Sequence, residues 1–79
     1  MNEAELVRQE VERLRKVFKK DVLTCEDLMK YYNVGKSNIR NLMNSENFPT
    51  TVIGRRKVIT LHNLVIFEFQ RNKSLLNSN

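Results

Sequence analysis

The sequence predicts a mainly α-helical fold with one small β-hairpin, and three stretches of the chain carry that prediction. Residues 48–59 form two short β-prone runs that meet at Gly54, with Arg55, Arg56 and Lys57 beside the turn, which reads as a basic hairpin. Upstream, residues 23–28 and 34–39 look like the starts of two short helices joined at a tight corner through Asn33, Val34 and Gly35. Ahead of both, residues 2–20 are rich in Glu, Arg, Leu and Val and contain no breaker. Together they predict a winged helix-turn-helix preceded by an additional N-terminal amphipathic helix. The division is 1–22 for that helix, 23–73 for the winged helix-turn-helix domain and 74–79 for a frayed tail.

In the first helix Val7, Val11, Leu14 and Phe18 recur at helical spacing, with Leu6 and Val17 beside them. This stripe has two readings: packing on its own domain, or a dimerising coiled coil of barely two heptads. Arg13, Arg15, Lys16, Lys19 and Lys20 load its end with positive charge, which complements the helix dipole. Thr24 followed by Asp27 is a capping-box variant, so the second helix starts at Cys25 and presents Leu28, Met29 and Tyr32 to the core. Asn33 and Gly35 tolerate the left-handed conformation that a sharp corner needs, and end it.

The third helix spans about residues 36–44. Ile39, Leu42 and Met43 share an apolar face with Val34, leaving Lys36, Ser37, Asn38, Arg40, Asn41 and Asn44 on the other. Exposed helix faces are commonly polar, but three Asn on one short helix are poor helix formers and suit base edges better than solubility. Pro49, Thr50 and Thr51 begin the first hairpin strand, and Gly54 supplies the turn. Neighbouring like charges at Arg55 and Arg56 repel unless an anion faces them; a solvated loop is the other reading. Thr60 caps a last helix, from Leu61 to about Lys73, whose apolar residues cover more than one face. The surplus at Ile66 or Phe69 is left for the N-terminal helix or another protein chain to cover.

Composition bounds the function. Seventy-nine residues make one domain, and a chain of that size buries only about 60% of its unfolded surface. The single Cys25 excludes an internal disulfide, and the chain reads as cytoplasmic, with no targeting segment or membrane span. The formal net charge is +5. Between Lys30 and Thr60 the cations are Lys30, Lys36, Arg40, Arg55, Arg56 and Lys57, against the single acid Glu46, which concentrates a field attractive to polyanions. One His62, one Cys25 and no paired carboxylates supply neither a nucleophile–base pair nor a metal-ligand set. An enzyme is therefore not expected, nor a metal, nor a cofactor. Cys25 reads as a half-buried small residue, and His62 as a surface residue of the last helix.

The ordered set Leu23-Thr24, Glu26-Asp27-Leu28, Val34-Gly35-Lys36-Ser37, Ile39, Leu42, Phe48-Pro49, Ile53-Gly54-Arg55-Arg56, Ile59 and Leu64 resembles the excisionase-like, MerR-related winged helix-turn-helix modules of small phage and mobile-element proteins. The resemblance implies a recognition helix over residues 36–44 and a wing over 54–57, with Lys57 and Val58 standing where the family often has an aromatic residue and an Arg. It also implies a role: an excisionase, which bends attachment-site DNA and assists an integrase or recombinase. The alternative on the same surface is a small transcriptional regulator. An alternative of another class is a protein-interaction module built on a degenerate helix-turn-helix. The expected partner is double-stranded DNA, met by Lys36, Ser37, Asn38, Arg40, Asn41 and Asn44 in the major groove and by Arg55, Arg56 and Lys57 on phosphate or minor groove. Self-association through the first or last helix is a further expectation.

Overall fold

The structure, a computed structural model, describes residues 2–77, with side chains as far as residue 73. Its elements in chain order are α1 (Glu3–Phe18), β1 (Val22–Leu23), α2 (Cys25–Tyr32), α3 (Lys36–Met43), β2 (Thr51–Ile53), β3 (Arg56–Thr60) and α4 (Leu61–Asn77). The described residues thus form four helices and a small three-stranded antiparallel sheet of order β1-β3-β2. None of the described helices is long and apolar enough to cross a membrane.

Local chemistry fixes most of the boundaries. The Asn2 side chain accepts a hydrogen bond from the Glu5 N–H at 2.8 Å and starts α1, and Lys19 ends it in the left-handed conformation at φ 60°. The helix therefore stops before the run Lys19-Lys20. Arg15 and Lys16 stand in its last turn, as the charge pattern predicts, and Arg8, Arg13 and Arg15 also pair with Glu5, Glu10 and Glu12 one turn back, Arg15 with Asp21 as well. The Thr24–Asp27 capping box is complete. Asp27 Oδ2 accepts from the Thr24 N–H at 2.9 Å and the Thr24 hydroxyl at 3.0 Å, while the Asp27 N–H reaches Thr24 Oγ1 at 3.4 Å. Lys20 Nζ lies 2.6 Å from the same carboxylate oxygen, so a residue that is only 8% exposed keeps its charge partnered.

The corner between α2 and α3 is made by Asn33 at φ 56°, whose side chain tolerates a left-handed turn. Gly35 is not needed for that purpose. It sits at φ −74° as the residue preceding α3, with open space where a side chain would stand. Val34, expected on the apolar face of α3, is 39% exposed, because it lies in the corner before the helix sets its face. In the hairpin, the Thr50 N–H turns back to the Phe48 carbonyl at 2.9 Å. Pro49 therefore occupies a tight turn instead of opening a strand, as suits a residue with no N–H to donate, and β2 begins at Thr51. Gly54 takes φ +64° at the first central position of the two-residue loop, where a primed turn calls for glycine.

One apolar cluster joins every layer. Val7, Val11 and Leu14 of α1 are buried with Leu28 of α2, Ile39 and Met43 of α3, Ile59 of β3, and Leu61, Leu64 and Val65 of α4. α1 lies along α4, its stripe consumed by the chain's own core, and Lys73 of α4 contacts Glu3 at the far end. Ile66, Phe67 and Phe69 pack half-buried against the cluster. Phe48, 3% exposed, meets Phe67 edge to face with ring centroids 4.8 Å apart. The Tyr32 hydroxyl donates to Glu68 Oε2 at 2.6 Å. Burial first, and then the bond to Glu68, raises the phenol pKa far above its ordinary value.

Two elements depart from the sequence reading. Val22 and Leu23 form a strand, pairing with Thr60 and Ile59, so the second strand of the hairpin becomes the central strand of a three-stranded sheet. The last helix continues to Asn77, through residues 74–77 of the expected frayed tail, while residues 78 and 79 lie outside the described residues.

Candidate nucleic-acid interface

Three segments converge on one open cleft of about 300 Å³. The start of α2 contributes Thr24, Cys25 and Glu26, α3 contributes Lys36, Arg40, Met43 and the following Asn44, and the hairpin contributes Arg55, Arg56 and Lys57. The sequence dictates the α3 side through helical spacing. Ile39 and Met43 are buried and Leu42 half-buried, which turns Lys36, Arg40 and Asn44, four residues apart, into a row on the surface. On the hairpin, Ile53 pairs with Arg56 and Val52 with Lys57, so Arg55 stands in the turn itself and Arg56 and Lys57 follow it directly. Lys57 Nζ contacts Asn44 Oδ1, linking β3 to the end of α3.

The nine residues singled out from the sequence are all exposed. Lys36, Arg40, Asn44, Arg55, Arg56 and Lys57 meet around the cleft, whereas Ser37, Asn38 and Asn41 lie on α3 outside it. Asn44 stands just past the helix as its C-cap, its N–H donating to the Arg40 carbonyl. Among the described residues, no carboxylate lies within ion-pair distance of Lys36, Arg40, Arg55, Arg56 or Lys57, in contrast to the arginines of α1. Their charge is therefore not cancelled by a direct ion pair, and the cleft as a whole stays basic.

Glu26 is the residue that sequence reasoning did not place here. In the capping box the carboxylate of Asp27 turns inward to Thr24, and its neighbour Glu26 is left exposed at the cleft rim. A hydrogen bond from its own backbone N–H holds the Glu26 carboxyl below the ordinary carboxylate range. Partial desolvation opposes this, and the Thr24 side chain and the charges of Lys36 and Arg56 reinforce it. The signal available in the sequence was positional: a first-turn acid next to the cap-closing acid faces outward. Cys25, also on the rim, is half-buried as expected and packs against the core cluster. His62 is exposed in the first turn of α4, away from the cleft. Among the described residues no three His, Cys, Asp or Glu side chains gather as metal ligands would.

Comparison with protein-family models, curated proteins and solved structures returns no match for the chain.

Proposed function

We propose that the chain binds double-stranded DNA sequence-specifically as a winged helix-turn-helix, with α2 and α3 as the helix pair and the β2–β3 hairpin as the wing. One observation carries this reading: Lys36, Arg40, Arg55, Arg56 and Lys57 line one cleft, and among the described residues none of them forms an ion pair with a carboxylate. Phosphates are the ligand that such a set accommodates, since several cations at once release the condensed counterions of a duplex. The exposed Ser37, Asn38 and Asn41 add hydrogen-bonding groups of the kind that read base edges in the major groove.

Within that reading, the role we favour is an excisionase that bends attachment-site DNA and assists an integrase, as the motif resemblance implies. Support comes from α1: its stripe Val7, Val11 and Leu14 is spent inside the chain's own core. Copies placed head to tail on tandem sites need no two-fold dimer helix, whereas a dimeric regulator of palindromic sites does. Selection of bound fragments from a random duplex library by the purified chain, followed by salt-dependent anisotropy on the enriched fragments, tests both levels. A motif in tandem direct repeats agrees with the excisionase role and a palindrome with a regulator. Absence of enrichment overturns sequence-specific DNA binding and favours a protein-interaction module.

A further inference from the structure

The outer part of the hairpin projects beyond the core. All six residues from Val52 to Lys57 are exposed, and burial begins only at Val58. Two of them are β-branched and apolar: Val52 is 62% and Ile53 is 61% exposed, among the most exposed large hydrophobics described in the molecule. Both lie on β2, an outer strand of the sheet. Register pairs each with a cation, Ile53 with Arg56 on one face and Val52 with Lys57 on the other. A projecting ribbon that mixes bare apolar side chains with cations that no described carboxylate pairs suits a surface that is apolar at its walls and anionic at its rim. The minor groove of duplex DNA has that composition, with deoxyribose walls between two lines of phosphate.

We propose that Val52 and Ile53 form an apolar wedge that enters the DNA minor groove while Arg55, Arg56 and Lys57 hold the flanking phosphates. This rests on the DNA-binding reading above and adds to it the residues that deform the duplex. Size makes deformation necessary. The minor groove of relaxed DNA is about 6 Å wide. Two strands lie about 4.8 Å apart before their side chains are counted, so the ribbon enters only if the groove opens. Opening the minor groove around an apolar wedge bends the helix toward the major groove, by about 20–90° in proteins that work this way. Charge complementarity favours DNA over a second copy of this chain, because a like-charged hairpin or cleft would repel these three cations.

The test uses the full chain and an A·T-rich duplex of about 30 base pairs with donor and acceptor dyes at its ends. Anisotropy reports binding and energy transfer reports bending, for wild type and for the double variant Val52→Thr, Ile53→Thr. Threonine keeps the β-branched shape and strand preference, and both sites are exposed, so circular dichroism is expected to show an unchanged fold. The expected result is that wild type binds and raises energy transfer. The variant then binds about tenfold more weakly with most of the bending lost, yet with the same salt dependence, since no cation was removed. Equal bending and affinity in the variant would overturn the wedge and leave DNA binding intact. Loss confined to cooperative binding on two adjacent sites would also overturn it, in favour of a contact between copies. A wild type that does not bind at low salt would overturn the DNA-binding reading together with the wedge.

Discussion

Lys57 on β3 reaches the side-chain oxygen of Asn44, the residue that closes α3, and so ties the hairpin to the end of the neighbouring helix. The partner is a neutral amide, which orients the ammonium without cancelling its charge. A carboxylate in its place would remove one cation from the field of the cleft. Asn44→Ala is therefore expected to weaken duplex binding by about two- to fivefold, the equivalent of a modest exposed hydrogen bond. Asn44→Asp should weaken it more and lower the salt slope. Anisotropy titrations of the three proteins over a range of salt concentrations check both outcomes.

Arg55 and Arg56 act on phosphate in the proposed complex, so their loss should not depend on sequence. Alanine at both positions is expected to weaken binding to selected and random duplexes alike and to reduce the slope of log affinity against log salt by up to about two. A loss restricted to the selected sequence would assign these arginines to base reading instead.

Asn38 is exposed on α3, outside the cleft, and carries no charge. Asn38→Ala is expected to leave the affinity for random DNA unchanged and to cost about 1–3 kcal/mol on the selected site. Competition between the two duplexes for each protein measures that difference directly.

Glu26 is the acid within a basic rim. Glu26→Gln is expected to strengthen binding to every duplex by roughly two- to fivefold, the size of effect that one exposed charge exerts at short range. An unchanged affinity would place the Glu26 carboxylate clear of the bound phosphates.

Asp27 links electrostatics to folding. Burial opposes its ionisation, but Lys20, the Thr24 N–H and the Thr24 hydroxyl outweigh burial and hold its pKa below the ordinary carboxylate value. A depressed folded pKa means that the stabilisation is present above the unfolded value of about 3.9 and is lost as pH falls through the folded one. Asp27→Asn is thus expected to lose about 1–2 kcal/mol at pH 7, and its deficit against wild type should shrink below about pH 4. Urea titrations at pH 7 and pH 3 give the comparison.

The legible parts of this fold are those whose cause lies within a few residues. Thr24 and Asp27 announce α2 because a side chain and a backbone N–H three residues away satisfy each other. Thr60 announces α4 by accepting the Asn63 N–H at 3.1 Å. Gly54 announces the hairpin turn because its positive φ disfavours a side chain. The row Lys36, Arg40, Asn44 follows equally from helical spacing once Ile39 and Met43 face inward.

What stayed hidden depends on residues far apart in the chain. Val22 and Leu23 are too short a run to announce a strand, and they become one because Thr60 and Ile59 present an open ladder beside them, closed by the Leu61 N–H on the Asp21 carbonyl at 2.9 Å. The stripe of α1 suits a partner chain or its own core equally well by pattern. The choice falls to the core because α4 carries more apolar surface than α2 and α3 cover, and Val7, Val11 and Leu14 remove it from water.

The sequence by itself determined three helix starts or turns, the basic hairpin and the polar face of α3, since caps, turns and periodicity are satisfied locally. Only the tertiary structure decided that α1 packs inward, that a third strand joins the sheet, and that Glu26 shares a rim with Lys36 and Arg56. Those outcomes rest on burial and charge shared between segments tens of residues apart, and such free energies exist only once the segments have met.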